Sequence, residues 1–302
     1  MTDTDDRAWL LRAMPAVFVA IWSTGFIVAR YGMPHAPPMT FLSWRYALSV
    51  ACFVAWATLA RAAWPEGRRQ WLHLAVTGIL MHAGYLGGVW AAVKAGMGAG
   101  LAALLVGLQP VLTALWISGR GGTVTGRQWA GLAFGLAGLV LVVWQKLGLG
   151  EVHPFNFACA LVALVSITAG TLYQKRFVAP CDVRTANLVQ LAAAFAVTLP
   201  LALLEPEPVR WVAAGGGFNR ELAGALAWSV LALTLGGSSL LYLLIQRGAA
   251  TRVTSLMYLV PPTTALMAWV LFAEPITVAT VAGVTLTALG VSLVVRAPAP
   301  RS

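Results

Sequence analysis

Long apolar runs alternate with short polar connections along the whole chain. The runs fall at roughly 13–31, 39–60, 70–93, 97–118, 126–145, 154–173, 184–204, 221–245, 251–272 and 277–295. Each is close to the ~20 residues a helix needs to cross a hydrocarbon core about 30 Å thick. The pattern predicts an all-α integral membrane protein with ten transmembrane helices. The first run is longer than a typical signal segment and has no evident small-residue cleavage site, so it reads as a retained helix. Ten spans would use about 200 of the 302 residues, which leaves no room for a sizeable soluble domain.

Composition agrees with that reading: 59% of residues are hydrophobic, 10% are charged and the mean hydropathy is +0.79. A formal charge of +10 could point to nucleic acid, so the placement of the charges matters. If successive ends alternate across a bilayer, one side receives only Lys94, Lys146, Arg210 and Arg220. Arg30 and Arg45 fall inside spans, and every other basic residue lies on the opposite side. That bias places both termini in the cytoplasm and suits a bacterial inner membrane protein. It also explains the net charge without a nucleic-acid partner, since no basic cluster interleaved with aromatics is present. Three cysteines, two of them inside apolar runs, give no disulfide framework.

The chain repeats itself. "LQPVLTAL" at 108–115 matches "LVPPTTAL" at 259–266, and Gly131 and Gly138 find counterparts in Gly283 and Gly290. Span 4 thus corresponds to span 9 and span 5 to span 10. Five spans per copy is an odd number, so the second copy must enter the membrane upside down. The expected organisation is two inverted-topology five-helix repeats, 13–145 and 154–295, joined by 146–153 and flanked by cytoplasmic tails 1–12 and 296–302. Secondary transporters that alternate access around a central site share this architecture.

The Pro-x-x-Thr-Ala-Leu segments, "LFAEPIT" ahead of span 10 and the paired Gly-x6-Gly helices resemble the EamA family of the drug/metabolite transporter superfamily. The resemblance runs from "WSTGFIVARYG" to "GVTLTALGVSLVV". It implies ten helices in two inverted repeats, a central cavity mainly between helices 3, 4, 8 and 9, and export of amino acids or other small metabolites. One departure is "GRGGTV" after span 4, where Thr123 stands at the place Glu274 holds in the second copy.

Several residues are candidates for a transport site. Pro110, Pro261 and Pro262 remove helical donors and free the carbonyls of Val106, Met257 and Tyr258. Such carbonyls must face protein or a wet cavity, so these prolines either line a site or kink two packing helices. His82 sits near the middle of span 3, with Gly78 and Tyr85 on its face, and could bind a carboxylate, relay a proton or simply bond a neighbouring helix. Gln109 lies beside Pro110. Thr234, Ser238 and Tyr242 recur every four residues in span 8, as do Thr254 and Tyr258 in span 9. Each could line a cavity or join helices without any ligand. Trp90, one turn beyond Tyr85, could wall the cavity or anchor at the interface. Arg30 and Arg45 lie toward outer ends of spans 1 and 2. They either extend to the interface or, with Lys94, make an outer vestibule positive. Glu274 precedes Pro275 at the start of span 10, where a carboxylate complements that helix's dipole or couples a proton.

Absences narrow the function. No Asp or Glu lies deep in any span, which weakens the alternative of proton-coupled efflux of lipophilic drugs and cations. No phosphate loop, zinc-binding His-Glu-x-x-His or Gly-x-Ser-x-Gly elbow is present, so no cofactor, metal or ATPase is expected. A membrane enzyme acting on lipids would place catalytic polar residues at one interface, whereas His82 and Gln109 are central. The expectation is a non-enzymatic transporter that uses the lipid bilayer and a small polar metabolite as partners.

Overall fold

The computed structural model describes residues 3–120, 125–213, 215–237, 240 and 259–295, with backbone alone at 3–16, 117, 294 and 295. Among these the protein is helical and contains no strand; one isolated bridge joins Val212 and Phe218. The helices are α1 (Asp3–Gly32), α2 (Pro38–Leu59), α3 (Gly67–Lys94), α4 (Ala99–Trp116, its last turn reaching Gly119) and α5 (Gly126–Gly148). After them come α6 (Pro154–Phe177), α7 (Val183–Leu203), α8 (Arg220–Trp228, running on through Ser229–Gly237), α9 (Val260–Phe272) and α10 (Val278–Val295). Six of them, α2 to α7, are long and apolar enough to cross a membrane; Val17–Gly32, α9 and Val278–Leu293 are shorter apolar helices. Val140, Val165, Leu231, Val270 and Val281 stand exposed along their helices, as expected of surfaces that meet lipid instead of water.

Local chemistry sets the helix ends. Thr125 and Gln128 form a reciprocal capping box at the start of α5, and His153 and Asn156 do the same for α6. Asp182 accepts the Arg184 N–H at the start of α7, and Asn219 accepts the Leu222 N–H at the start of α8. Pro37 ahead of α2 and Gly98 ahead of α4 offer no capping side chain. The orphan donors of these two helices are met from a distance. Glu205, just after α7, accepts the N–H groups of Met39 (2.9 Å) and Thr40 (2.8 Å). Glu274, just after α9, accepts the Ala99 N–H at 3.0 Å and the Gly100 N–H at 3.5 Å. Glu274 therefore complements the dipole of α4 and not of α10, the helix it precedes in sequence.

Small residues let helices meet backbone to backbone. A Cβ built on Gly78 would fall 2.1 Å from the Gln190 carbonyl oxygen, which presses α3 on α7. A Cβ on Gly88 would fall 2.5 Å from the Cys159 carbonyl oxygen and 2.8 Å from the Ala163 nitrogen of α6. Three pairs run antiparallel. In α2 and α7, Ser43 bonds Thr198 while Thr40 meets Glu205. In α4 and α9, Gly107 meets Pro261 while Gly98 meets Glu274. In α5 and α10, Gly131 meets Gly290 while Gly138 meets Gly283. Around these pairs α3 packs on α6 and α7, and α8 packs on α1 and α2. The stacked Phe41 and Trp90 rings, 4.4 Å apart, fill the contact between α2 and the end of α3. Trp90 is fully buried, so it neither anchors at an interface nor faces an open space.

One end of the bundle is tied together by its connections. The Arg210 N–H bonds the His35 carbonyl at 2.8 Å, and Lys94 bonds both the Met33 carbonyl and the Glu207 carboxylate. His153 and Asn156 both reach the Ala95 carbonyl, and Lys146 holds Glu151 at 2.7 Å.

Candidate functional site

Two helices change their winding near the middle of the bundle. In α3 the stretch Ile79–Gly84, and in α8 the stretch Ser229–Gly237, adopt the wider π turn. Such turns shift the side-chain register by one position and leave carbonyls with non-standard partners. In α3 the Tyr46 hydroxyl of α2 donates to the His82 carbonyl at 2.9 Å, and the Tyr46 and His82 rings meet edge-on at 6.2 Å. In α8 the Thr234 hydroxyl donates to the carbonyl five residues back, Ser229, at 2.8 Å. That donation turns the lone pairs of the Thr234 oxygen outward, and Arg45 of α2 fills them through Nε at 3.2 Å and Nη2 at 3.1 Å.

Arg45 thus joins α2 to the π turn of α8. Its guanidinium lies within electrostatic reach of Tyr46, Tyr85 and His82. The imidazole of His82 faces the side chain of Gln190 on α7 and keeps partial access to open space, whereas Tyr85 is buried. The side chains so assembled are one cation, one imidazole, two phenols, one amide and one hydroxyl, and no carboxylate. Among the described residues no cluster of His, Cys, Asp and Glu could hold a metal ion.

The other expected residues fall in different places. Gln109 donates to the Thr171 hydroxyl on α6 at 2.9 Å and makes no bond to His82. The break in α4 falls at Gly107 and Leu108, between Val106 and Pro110, and Gln109 restarts the helix. Pro261 and Pro262 occupy the first described turn of α9, where a missing N–H is tolerated, and residues 241–258 ahead of it lie outside the described residues. The Pro261 ring packs against Gly107, so the broken part of α4 rests on the start of α9. Lys94 is fixed by Glu207 in the end layer, and Arg30 is half-buried in the last turn of α1. Of the two alternatives for Arg45, its side chain takes the inward one: it is 7% exposed and bonds Thr234, away from Lys94. Thr123, Ser238, Tyr242, Thr254, Met257 and Tyr258 lie outside the described residues.

Sequence reasoning missed Gln190 and the role of Thr234 as the partner of Arg45. A polar residue inside an apolar run was the available signal for Gln190. The π turns that aim Thr234 at Arg45 have no signature in the hydropathy pattern.

The fold and this centre define a polytopic helical membrane protein with a polar, cationic interior site. A profile of the EamA-like transporter family matches residues 11–144 and again 156–296, and the chain belongs to that family. An uncharacterized transporter of Archaeoglobus fulgidus is 23% identical, over 96% of this chain and 99% of its own length. The Escherichia coli protein named uncharacterized inner membrane transporter YedA is 25% identical, over 74% of this chain and 72% of its own. A Salmonella typhimurium protein named "Probable amino-acid metabolite efflux pump" is 27% identical, over 52% of this chain and 51% of its own. One crystal structure shares the fold with a TM-score of 0.65 at 19% identity, covering 93% of this chain and 94% of the other.

Proposed function

We propose that the protein is a secondary transporter that moves a small polar metabolite, of the amino-acid kind, out of the cell by alternating access. The observation that carries this reading is the polar centre itself, where Arg45, His82 and Thr234 meet at winding changes in two helices. Irregular backbone inside a membrane is tolerated where it borders protein or a wet cavity, and it marks substrate sites in transporters.

The reading includes ten spans arranged as two inverted repeats, 13–145 and 154–295, in an inner membrane with both termini cytoplasmic. Several features support it. The helices that would be equivalent, α2 with α7, α4 with α9 and α5 with α10, cross antiparallel, as partners of opposite orientation must. The π turns fall in α3 and α8, which hold equivalent places in the two copies. Carboxylates after α7 and α9 cap α2 and α4 in the same way. The family profile also matches twice, with a boundary near that of the proposed halves. In this scheme the tied end is a closed gate, and the Lys94–Glu207 and Thr40–Glu205 contacts break when that side opens.

A cation at the centre also speaks against lipophilic cations as cargo, because like charges repel strongly where water is scarce. The test is flux in proteoliposomes, comparing a panel of amino acids and small metabolites with lipophilic cations. Saturable amino-acid or metabolite flux is expected. Flux of the cations alone, or of nothing across the panel, overturns the reading.

A further inference from the structure

Arg45 is a buried cation with no carboxylate partner among the described residues. Guanidinium carries five N–H donors. Two groups, Nε and Nη2, are spent on the single oxygen of Thr234, a neutral acceptor. None of the chain's carboxylates pairs with Arg45 among the described residues. Glu205, Glu207, Glu221 and Glu274 are engaged at the tied end, Glu151 holds Lys146 and Asp182 holds Arg184. Burying a charge without a partner is unfavourable, and the neutral Thr234 alone cannot offset that.

The surroundings are those of a receptor and not of a sealed defect. Nη1 is not among the buried atoms that lack a partner, whereas the hydroxyls of Ser49, one turn further along α2, and Ser229, at the start of the α8 π turn, are. The free edge of the guanidinium therefore borders accessible space, next to the partly accessible imidazole of His82.

We infer that Arg45, held in place by Thr234, binds the carboxylate of the transported molecule, with His82 and Tyr85 beside it. The inference rests on the transporter reading and narrows its cargo to monoanions or zwitterions with a carboxylate. A planar guanidinium edge matches the two oxygens of a carboxylate in a fork geometry. One cation also balances one negative charge, so a dianionic phosphate monoester would stay under-neutralised; Lys94 is already committed to Glu207.

Two experiments test this on the purified full-length protein. The first reads Arg45 directly: modification by phenylglyoxal is followed by peptide mass spectrometry with each L-amino acid or short carboxylic acid present, and again with its amide. At saturation at least one carboxylate slows modification of Arg45 about tenfold or more, and its amide leaves the rate within about twofold. An Arg45 that never reacts, or equal protection by carboxylates and amides, or protection by none, overturns the proposal. The second compares proteoliposome flux of the protecting carboxylate and its amide in wild type, Arg45→Lys, Arg45→Gln and Thr234→Val. Arg45→Gln is expected to erase a preference of about tenfold or more for the carboxylate, with Arg45→Lys and Thr234→Val intermediate. Flux with no such preference in the wild type sinks the carboxylate inference and leaves the transporter reading standing. Protection without any flux does the reverse.

Discussion

Replacing Gly138 with alanine measures how closely α5 and α10 must approach. A Cβ at that position would stand 2.4 Å from the Gly283 carbonyl oxygen, 2.5 Å from Thr287 Oγ1 and 2.8 Å from the Thr287 nitrogen, where ordinary contact begins at 3.4 Å. Two of these neighbours are backbone atoms and cannot swing away, so the helices must part by about 1 Å. A gap of that size forfeits a quarter to a half of each ~0.1–0.2 kcal/mol contact, and over ~45 atom pairs at the crossing the loss is about 2.5 kcal/mol. Alanine's better helix propensity returns roughly 0.5–1 kcal/mol. The expected net destabilisation is about 1.5–2 kcal/mol, within the usual range for overpacking. Gly283→Ala strikes the same crossing from the other side, 2.6 Å from the Gly138 oxygen and 2.3 Å from Val142 Cγ2. Once one methyl has parted the helices the second meets less resistance, so the double variant is expected to lose less than the sum of the singles.

The assay is reversible unfolding in mixed micelles, followed by helical circular dichroism. Gly224→Ala is the control, because its Cβ meets nothing within 4 Å in the interior of α8 and gains only propensity. Gly138→Ala as stable as Gly224→Ala, or a double variant whose loss is strictly additive, would refute the argument that this contact sets the crossing.

Two further outcomes follow from the helix ends. Glu274→Ala strips the acceptor from the Ala99 and Gly100 donors, and a loss of about 1–2 kcal/mol in the same unfolding assay is expected, with Glu274→Gln recovering part of it; no change would mean water caps α4 equally well. Asp182, in the connection before α7, is held below the usual carboxylate range by hydrogen bonds from the Arg184 side chain. A carboxyl group lowered on folding contributes stability above its unfolded value, and this is lost as pH falls through the folded one. A melting series from neutral pH to below pH ~4 should therefore show an acid-side decline that is smaller in Asp182→Asn than in wild type. Identical declines would show that the carboxylate is not so held.

Six of the expected spans were legible, α2 to α7, because hydrocarbon imposes one length on every crossing helix: the run at 126–145 became Gly126–Gly148, and the run at 184–204 became Val183–Leu203. The repeated glycines were legible as equivalent positions but not as contacts: Gly131 and Gly138 match Gly283 and Gly290 in sequence, yet Gly131 meets Gly290 and Gly138 meets Gly283. Hydropathy fixes depth along a helix but carries little information about which neighbour a side chain will face. Arg30 and Arg45 looked alike in the sequence, yet one sits half-buried in the last turn of α1 and the other turns into the bundle toward Thr234. Glu274 was read against the helix next to it, whereas the donors it meets begin α4.

The π turns explain why the polar stripe of span 8 was only partly readable. A four-residue spacing assumes 3.6 residues per turn, and Thr234 instead bonds Ser229, five residues back. That widened turn presents its hydroxyl oxygen to Arg45, and Arg45 in turn lies within electrostatic reach of the widened turn of α3 at His82. Regular helices at both places would have left the guanidinium facing apolar walls, at a cost of several kcal/mol for an unpaired charge. The irregular winding and the buried cation are therefore one feature, and the feature that sequence periodicity conceals is the one on which the proposed cargo chemistry depends.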